Sequence, residues 1–239
     1  MPPHLSVVVL CYKAKEQARP FTAKVVEQVE SITSDWEIVL VGNYNAGDET
    51  DTTPHVVREL ASSDPRIKAL TLVKEGMMGW DARTGLDAAT GDIICLIDGD
   101  EQMPPEDIQR VYDKLKAEGL DVVSTYRADR RDGLVRRLNS QAYNLVFRIL
   151  FPGLKSSDIN SKPKIFTRAF FEKLNLVSDD WFLDAEIMIQ VRRYGAAFGE
   201  IPTVFHEAKN RRSFVRLGAV MEFVSNLVRA RLREFTVKR

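Results

Sequence analysis

The segment CLIDGDEQMPPED, residues 95–107, ends an apolar run with two aspartates, Asp98 and Asp100, separated by one glycine. In an extended chain, residues i and i+2 point to the same side, so both carboxylates can face one ligand. The two like charges require a positive charge or solvent between them, which a divalent metal ion, a nearby lysine or water could supply. Mg²⁺ and Mn²⁺ suit one or two carboxylates together with substrate phosphates. The alternative is a solvated turn that caps the helix beginning near Pro104.

Outward from this segment, short apolar runs alternate with helical patterns over residues 1–126. The sequence predicts strands over 5–12, 36–42, 67–73, 92–97 and 121–126. It predicts helices from the end of the first strand to about 31 and over 54–62, 80–89 and 105–118. Strands that alternate with helices of about ten residues are typical of a parallel α/β sheet.

Polar residues follow each predicted strand. They are Tyr12 and Lys13, Asn43, Lys74 and Glu75, Asp98 to Asp100, and Arg127. Ligands of parallel α/β sheets bind beyond the carboxyl ends of the strands. The pattern therefore predicts a binding cleft along that edge of the sheet.

The remaining residues, 127–239, are less regular. The patterns predict an amphipathic helix over 138–151, a polar loop over 153–162, a helix over 182–194, an edge strand over 198–205 and a long helix over 213–234. No composition shift typical of a linker is visible. We therefore expect a single domain over residues 1–239.

The charge is unevenly distributed although the formal net charge is zero. Residues 1–126 hold 12 Lys and Arg against 22 Asp and Glu, a net charge of −10, and residues 127–239 hold 22 against 12, a net charge of +10. An acidic half could hold a cation, and a basic half could meet phosphates or an anionic surface. The chain has no bilayer-length apolar run and no signal-peptide pattern at its start, and Cys11 and Cys95 lie in apolar runs. We expect a cytoplasmic protein with reduced, buried cysteines.

Residues 79–108, GWDARTGLDAATGDIICLIDGDEQMPPEDI, resemble a motif of the family 2 glycosyltransferases, Gly-x-x-x-Arg-x-Gly…Ala-x-Gly-Asp…Asp-x-Asp-x-Gln-x-Pro-Pro-Glu. The resemblance extends over nearly the whole chain and is greatest to the dolichyl-phosphate mannosyl- and glucosyltransferase branch. Further matching positions are Arg127, Arg136, Ser140, Asn144, Asp158, Ser161 and the RRSF segment at 211–214.

The resemblance implies an α/β fold of the GT-A type with a mostly parallel central sheet. Residues 1–126 would bind the nucleotide-sugar and residues 127–239 the acceptor. The implied reaction is an inverting, metal-dependent transfer, with Mg²⁺ or Mn²⁺, from a UDP- or GDP-linked sugar to a polyprenyl or dolichyl phosphate. Such an acceptor implies peripheral contact with the cytosolic membrane face. No nucleic-acid partner is expected.

The resemblance also implies roles for individual residues. Asp98 and Asp100 would bind the metal and the diphosphate, with Asp100 as a catalytic residue, and Gln102 would orient the acceptor phosphate or a metal-bound water. Asp184 and Glu186, near a predicted helix start, are candidate general bases for a hydroxyl acceptor. The remaining candidate substrate-binding or nucleotide-binding residues are Tyr12, Asn43, Arg83, Arg127, Lys162, Arg211 and Arg212.

The sequence departs from the family pattern at two places. Gly42 and Asn43 stand where the family usually has two aspartates that read the nucleotide, and Lys162 replaces a glycine near the acceptor site. Two alternatives stay open. One is transfer to a hydroxyl of a soluble or polymeric acceptor, with Asp184 as the base. The other is a nucleotide-binding partner protein without catalytic activity.

Overall fold

The computed structural model describes the backbone of residues 2–130, 134–206 and 217–236, and the side chains of 2–128, 140–206 and 224–234. The strands are β1 (Leu5–Leu10), β2 (Trp36–Val41), β3 (Ile67–Leu70), β4 (Ile93–Asp98), β5 (Val122–Arg130), β6 (Lys164–Thr167) and β7 (Phe198–Phe205). The α-helices are α1 (Ala18–Ile32), α2 (Thr53–Ser63), α3 (Met78–Ala88), α4 (Asp107–Glu118), α5 (Leu134–Leu150), α6 (Arg168–Phe171), α7 (Leu183–Arg193) and α8 (Leu217–Thr236).

The seven strands form one sheet in the order β3-β2-β1-β4-β6-β5-β7. The pairs β1–β2, β1–β4, β2–β3 and β5–β7 are parallel, whereas β6 runs antiparallel to both β4 and β5. This mostly parallel sheet confirms the predicted α/β class, and β7 lies at the edge as predicted. Strand β6 was not predicted, because its four residues follow a polar segment and show no long apolar run.

Alternating side chains of β1 enter two separate hydrophobic layers. Val8 lies in the layer under α3, α5 and α7, and Val7 and Val9 lie in the layer under α1, α2 and α4. All six residues of β1 are buried. A continuous apolar run of this kind is what a parallel strand covered on both faces requires.

The helices bury one face each. In α1, Phe21, Val25 and Val29 recur every four residues and are buried, as expected for an amphipathic helix. Helix α4 ends at Gly119, whose φ of 61° is the left-handed conformation that favours glycine at this position. Both cysteines are buried and unbridged, as predicted.

The observed bounds differ from the predicted ones mainly where the chain leaves the sheet. The third strand ends at Leu70, and beyond it only an isolated bridge joins Val73 to Tyr44. Strand β5 extends to Arg130 because it pairs with the whole length of β7. The first residues of the predicted helix 213–234 lie outside the described residues. No helix in the described parts of the chain has the length and hydrophobicity that a bilayer-spanning segment needs.

Gly79, in the first turn of α3, packs against the backbone of the segment before α7. A Cβ at this position would lie 2.5 Å from the carbonyl oxygen of Ser178 and 2.9 Å from the carbonyl carbon of Asp179. We expect Gly79→Ala to lower the free energy of unfolding by about 1–3 kcal/mol, because backbone atoms must move to admit the methyl group. Urea denaturation measures this change. Helix propensity alone would make the variant more stable, and that result would contradict the packing argument.

Candidate active site

Asp98 is the last residue of β4, and Asp100 follows it in a tight loop at the carboxyl edge of the sheet. The Gly99 amide donates to the Leu10 carbonyl at 2.9 Å, which ties this loop to the end of β1. A Cβ on Gly99 would lie 3.0 Å from the same oxygen, so the approach favours glycine. The Asp100 carboxylate accepts a hydrogen bond from the Gln102 amide at 3.1 Å. Both aspartates are half-buried.

Gln102 joins the aspartate loop to the end of β7. The His206 amide donates to the Gln102 carbonyl at 2.9 Å, and the Gln102 side-chain amide donates to the His206 carbonyl at 3.2 Å. Gln102 therefore fixes the position of the loop. Its predicted contact with the acceptor phosphate or a metal-bound water stays a prediction.

Four charged residues form a chain that leads from the sheet edge into the core; we call Asp98, Lys162, Asp184 and Lys164 the charged cluster. Lys162 Nζ lies 3.4 Å from Asp98 Oδ2 and 2.8 Å from Asp184 Oδ2. Lys164 Nζ lies 2.7 Å from Asp184 Oδ1 and donates to the carbonyls of Ile159 and Ser161. Lys162 and Asp184 are each 3% exposed and Lys164 is fully buried.

Burial and mutual attraction set the protonation of this cluster. Burial alone would raise the pKa of Asp184, but Lys162 and Lys164 outweigh it and hold that pKa below its usual value. Burial opposes the charge of Lys162, yet Asp184 and Asp98 raise the pKa of Lys162 above its usual value. Asp184 and Lys162 are therefore ionised at neutral pH.

Glu186, the other candidate base, lies in the first turn of α7. Its carboxylate accepts hydrogen bonds from the backbone amides of Val177 at 3.1 Å and Ser178 at 2.9 Å. Glu186 thus orders the segment that precedes the helix. A catalytic role for Glu186 stays a prediction.

Asn43, a candidate nucleotide contact, is fully buried beyond β2. Its side-chain amide donates to Asp81 at 3.0 Å and to Thr84 at 3.2 Å, and its side-chain oxygen accepts from the Leu72 amide at 2.9 Å. Asp81 also pairs with Lys74, and burial raises the pKa of Asp81 despite these partners. In this structure Asn43 connects β2 to α3 and to the segment after β3.

Tyr12 lies beside these residues, beyond the end of β1. Its hydroxyl accepts a hydrogen bond from Asn45 at 3.0 Å, and Lys74 Nζ lies 4.7 Å from the centroid of its ring. Sequence reasoning noted Lys74 only as a polar residue after a strand and did not single out Asp81. Their pairing was not predictable, because it depends on how α3 packs beside the end of β3.

The predicted arginines occupy different places. The Arg83 guanidinium donates to the Val177 carbonyl and to Asp179, whereas Arg127 makes a two-point ion pair with Asp158 at 2.5 and 2.8 Å. Arg127 is therefore oriented by the loop after α5. Arg211 and Arg212 lie outside the described residues.

An open cleft of about 390 Å³ lies beside Arg83 and the segment before α7. It is lined by Gly76, Met77, Val177, Ser178, Asp179, Asp180, Asn226 and Arg233. Asp180 accepts hydrogen bonds from the Phe182 amide and from the Asn226 side chain, so α8 is joined to this segment. Three different parts of the chain thus line this cleft.

Asp98 and Asp100 fit a divalent metal ion that also binds a diphosphate. No group of three or more His, Cys, Asp or Glu side chains suited to a metal occurs among the residues that the structure describes. Mg²⁺ usually takes only one or two protein carboxylates and completes its coordination with phosphate and water. The half-buried aspartate pair at the strand end meets that requirement.

Comparison with known families identifies the class of this protein. Residues 6–182 match the profile of Glycosyl transferase family 2. The chain belongs to this family, as the sequence motifs predicted. Family membership does not support the alternative of a protein without catalytic activity.

Curated relatives share about a third of their aligned residues with this chain. The undecaprenyl-phosphate 4-deoxy-4-formamido-L-arabinose transferase of Pectobacterium carotovorum subsp. carotovorum strain PC1 is 31% identical over 147 residues, 61% of this chain and 43% of the relative. The protein of the same name from Salmonella choleraesuis strain SC-B67 is 30% identical over 144 residues, 60% of this chain and 43% of the relative. The chain therefore spans less than half the length of these relatives.

Solved structures confirm the expected GT-A fold. Glucosyl-3-phosphoglycerate synthase from Mycobacterium tuberculosis, in complex with Mn²⁺, UDP and phosphoglyceric acid, has a TM-score of 0.72 at 20% identity, covering 96% of this chain and 78% of that one. The same enzyme in complex with UDP has a TM-score of 0.69 at 17% identity, covering 99% and 82%.

Proposed function

We propose that this glycosyltransferase transfers a sugar from a nucleotide diphosphate-sugar to a polyprenyl phosphate, with inversion at the anomeric carbon and with Mg²⁺ or Mn²⁺ bound at Asp98 and Asp100. Membership of family 2 supports the proposed glycosyl transfer. The aspartate pair at the carboxyl end of β4 supports the proposed binding of a metal ion and of a diphosphate donor. The proposed acceptor class rests on the burial and the ion pairs of Asp184.

The environment of Asp184 distinguishes between a hydroxyl acceptor and a phosphate acceptor. A hydroxyl acceptor needs a general base that can reach its proton and that has a pKa near the working pH. Asp184 is buried, each of its oxygens faces a lysine ammonium group, and those lysines lower its pKa. A phosphate acceptor is already an anion and needs no base, so it agrees with the observed pairing of Asp184.

The names of the curated relatives support the same acceptor class. Both transferases are named for undecaprenyl phosphate, which is a polyprenyl phosphate. The matched part covers 43% of each relative.

The chemistry assigns a task to each part of the site. A phosphate oxygen of the acceptor would attack the anomeric carbon, and the bond from that carbon to the nucleoside diphosphate would break with the electron pair leaving on the diphosphate. A bound metal ion would stabilise the charge on that leaving group. Asp98 and Asp100 would hold the ion, and Gln102 would keep their loop in place through its bonds to His206.

A lipid-phosphate acceptor also requires contact with a membrane surface. Leu145 and Ile149 on α5 and Val228 and Leu232 on α8 are exposed apolar side chains, and the two helices pack against each other. Arg148 is exposed beside the pair on α5. Apolar side chains flanked by arginines suit the interface of an anionic membrane. These helices support peripheral contact with the cytosolic membrane face.

Donor binding is tested by thermal shift with UDP- and GDP-linked sugars, each with Mn²⁺ or with EDTA. A ligand at a hundred times its Kd stabilises the folded state by about 2.7 kcal/mol, which corresponds to about 5–10 °C for a chain of this size. We expect one nucleotide to give this shift only with Mn²⁺, and Asp100→Ala to abolish it. A shift that persists in EDTA would contradict the metal requirement, and a shift that persists in Asp100→Ala would contradict a metal site at Asp100.

The acceptor class is tested by product analysis with the donor found above. We expect transfer to undecaprenyl phosphate in detergent and none to soluble hydroxyl acceptors. In this reaction, Asp184→Asn should retain donor-dependent transfer to the phosphate acceptor, provided the variant melts above the assay temperature. Transfer to a hydroxyl acceptor that disappears in folded Asp184→Asn would overturn the proposed acceptor class and restore Asp184 as a base.

A further inference from the structure

We propose that Lys162 is a built-in counter-cation of Asp98 that opposes binding of a divalent metal ion at that carboxylate, and that Asp184 and Lys164 hold Lys162 in this position. The inference rests on the metal site of the proposed function. It concerns the electrostatic potential at the Asp98 carboxylate before a metal ion binds. Lys162 acts here through Asp98 and is a positioning residue.

The distances place the Lys162 ammonium group between two carboxylates. Nζ lies 3.4 Å from Asp98 Oδ2 and 2.8 Å from Asp184 Oδ2. At 3.4 Å from Asp98, a positive charge cancels much of the negative potential that would attract a cation. The Asp98 side chain is about one-third exposed whereas that of Lys162 is 3% exposed, so an ion can approach Asp98 from solvent while the lysine acts from beneath it.

The rest of the charged cluster prevents Lys162 from leaving. A buried ammonium group is stable only when it is paired, and Asp184 provides that partner. Lys164 binds the second oxygen of Asp184 and two backbone carbonyls, which fixes the orientation of that carboxylate. The cluster therefore holds the Lys162 ammonium group between the carboxylates of Asp98 and Asp184 before any metal binds.

Lys162 is the residue of the charged cluster that pairs with Asp98. A glycine would leave Asp98 without this cation. Asp184 would then keep an ion pair with Lys164 and lose the one with Lys162. The lysine therefore changes the electrostatics of the aspartate pair without changing the aspartates themselves.

The test is direct binding of Mn²⁺ alone, followed by electron paramagnetic resonance, to the wild type and to Lys162→Gln. Removal of one unit of positive charge beside the site should raise the affinity for Mn²⁺ about tenfold. A merely destabilised site would instead bind Mn²⁺ more weakly. Lys24→Gln, which removes an exposed lysine on α1, is the matched control and should leave the affinity for Mn²⁺ unchanged.

Two further variants complete the test. Asp98→Asn should weaken Mn²⁺ binding, and Asp184→Asn, where it folds, should weaken it too, because Lys162 is left with Asp98 as its carboxylate partner. If Mn²⁺ binding depends on Asp98 but Lys162→Gln does not raise the affinity, the inference is overturned and the proposed function stands. If Asp98→Asn and Asp100→Asn both leave Mn²⁺ binding unchanged, the metal site of the proposed function is overturned as well.

Discussion

Replacement of Asp184 by alanine is expected to lower the free energy of unfolding by about 3–5 kcal/mol. The substitution leaves two lysines, one 3% exposed and the other fully buried, without the carboxylate that pairs with both. An uncompensated buried charge is among the most destabilising changes that a single substitution makes. Urea denaturation at neutral pH measures the loss. Asp179→Ala is the matched control, because Asp179 forms a partly exposed ion pair with Arg83 and should contribute at most about 1 kcal/mol.

The stabilisation by Asp184 should also depend on pH. Its pKa is lower in the folded protein than in the unfolded chain, so the unfolded chain binds its proton first as the pH falls. The contribution is therefore complete above the unfolded pKa of about 3.9 and is lost as the pH falls through the folded pKa. The difference in stability between wild type and Asp184→Ala should narrow from about pH 5 downward. A difference that stays constant down to pH 3 would show that the carboxylate charge is not the source.

Asp100→Asn is expected to reduce kcat about a thousandfold while leaving the melting temperature nearly unchanged. A carboxylate that holds the metal ion supports several kcal/mol of charge stabilisation on the leaving diphosphate, and about 4 kcal/mol corresponds to that factor. Asp100 is a half-buried loop residue whose carboxylate also accepts a hydrogen bond from the Gln102 amide, and asparagine can accept the same bond. The loop should therefore keep its shape.

This effect is measured as release of nucleoside diphosphate with the donor and acceptor found for the wild type. Asp113→Asn on α4 is the matched control, because Asp113 is exposed and distant in sequence from the aspartate loop. It should retain wild-type activity. A loss of less than about tenfold in Asp100→Asn would mean that Asp98 alone supports the reaction.

The parallel part of the fold was predictable because its signals are local. Apolar runs ended by polar residues located β1, β2 and β4, and helical periodicity located the helices between them. The same pattern predicted that Asp98 would lie at the carboxyl edge of the sheet. Strand β6 was not predictable in this way, because its position between β4 and β5 depends on pairing with residues far away in the sequence.

The hydrogen-bond and ion-pair partners of the site residues were harder to predict than the site residues themselves. Lys162 contacts Asp98 across 64 positions and Asp184 across 22, and nothing in a strand or helix pattern fixes such contacts. The departure of Lys162 from the family glycine did indicate a cation near the site. The burial of Asn43 and the pairing of Arg127 with Asp158 depend equally on tertiary packing.

The antiparallel strand β6 also determines when the protein can acquire its site during synthesis. Strands β3, β2, β1 and β4 are all contained in the first 98 residues, and among the residues that the structure describes they pair with one another and with β6. Strand β5, although it comes next in the chain, joins the sheet through β6 at 164–167 and through β7. A nascent chain that has emerged only as far as β5 can therefore form the four-stranded part of the sheet. Strand β5 can join this sheet only after about forty more residues, which include β6, have been synthesised. The strand that joins the two parts of the sheet begins two residues after Lys162, so we expect Lys162 to reach Asp98 only when β6 pairs with β4.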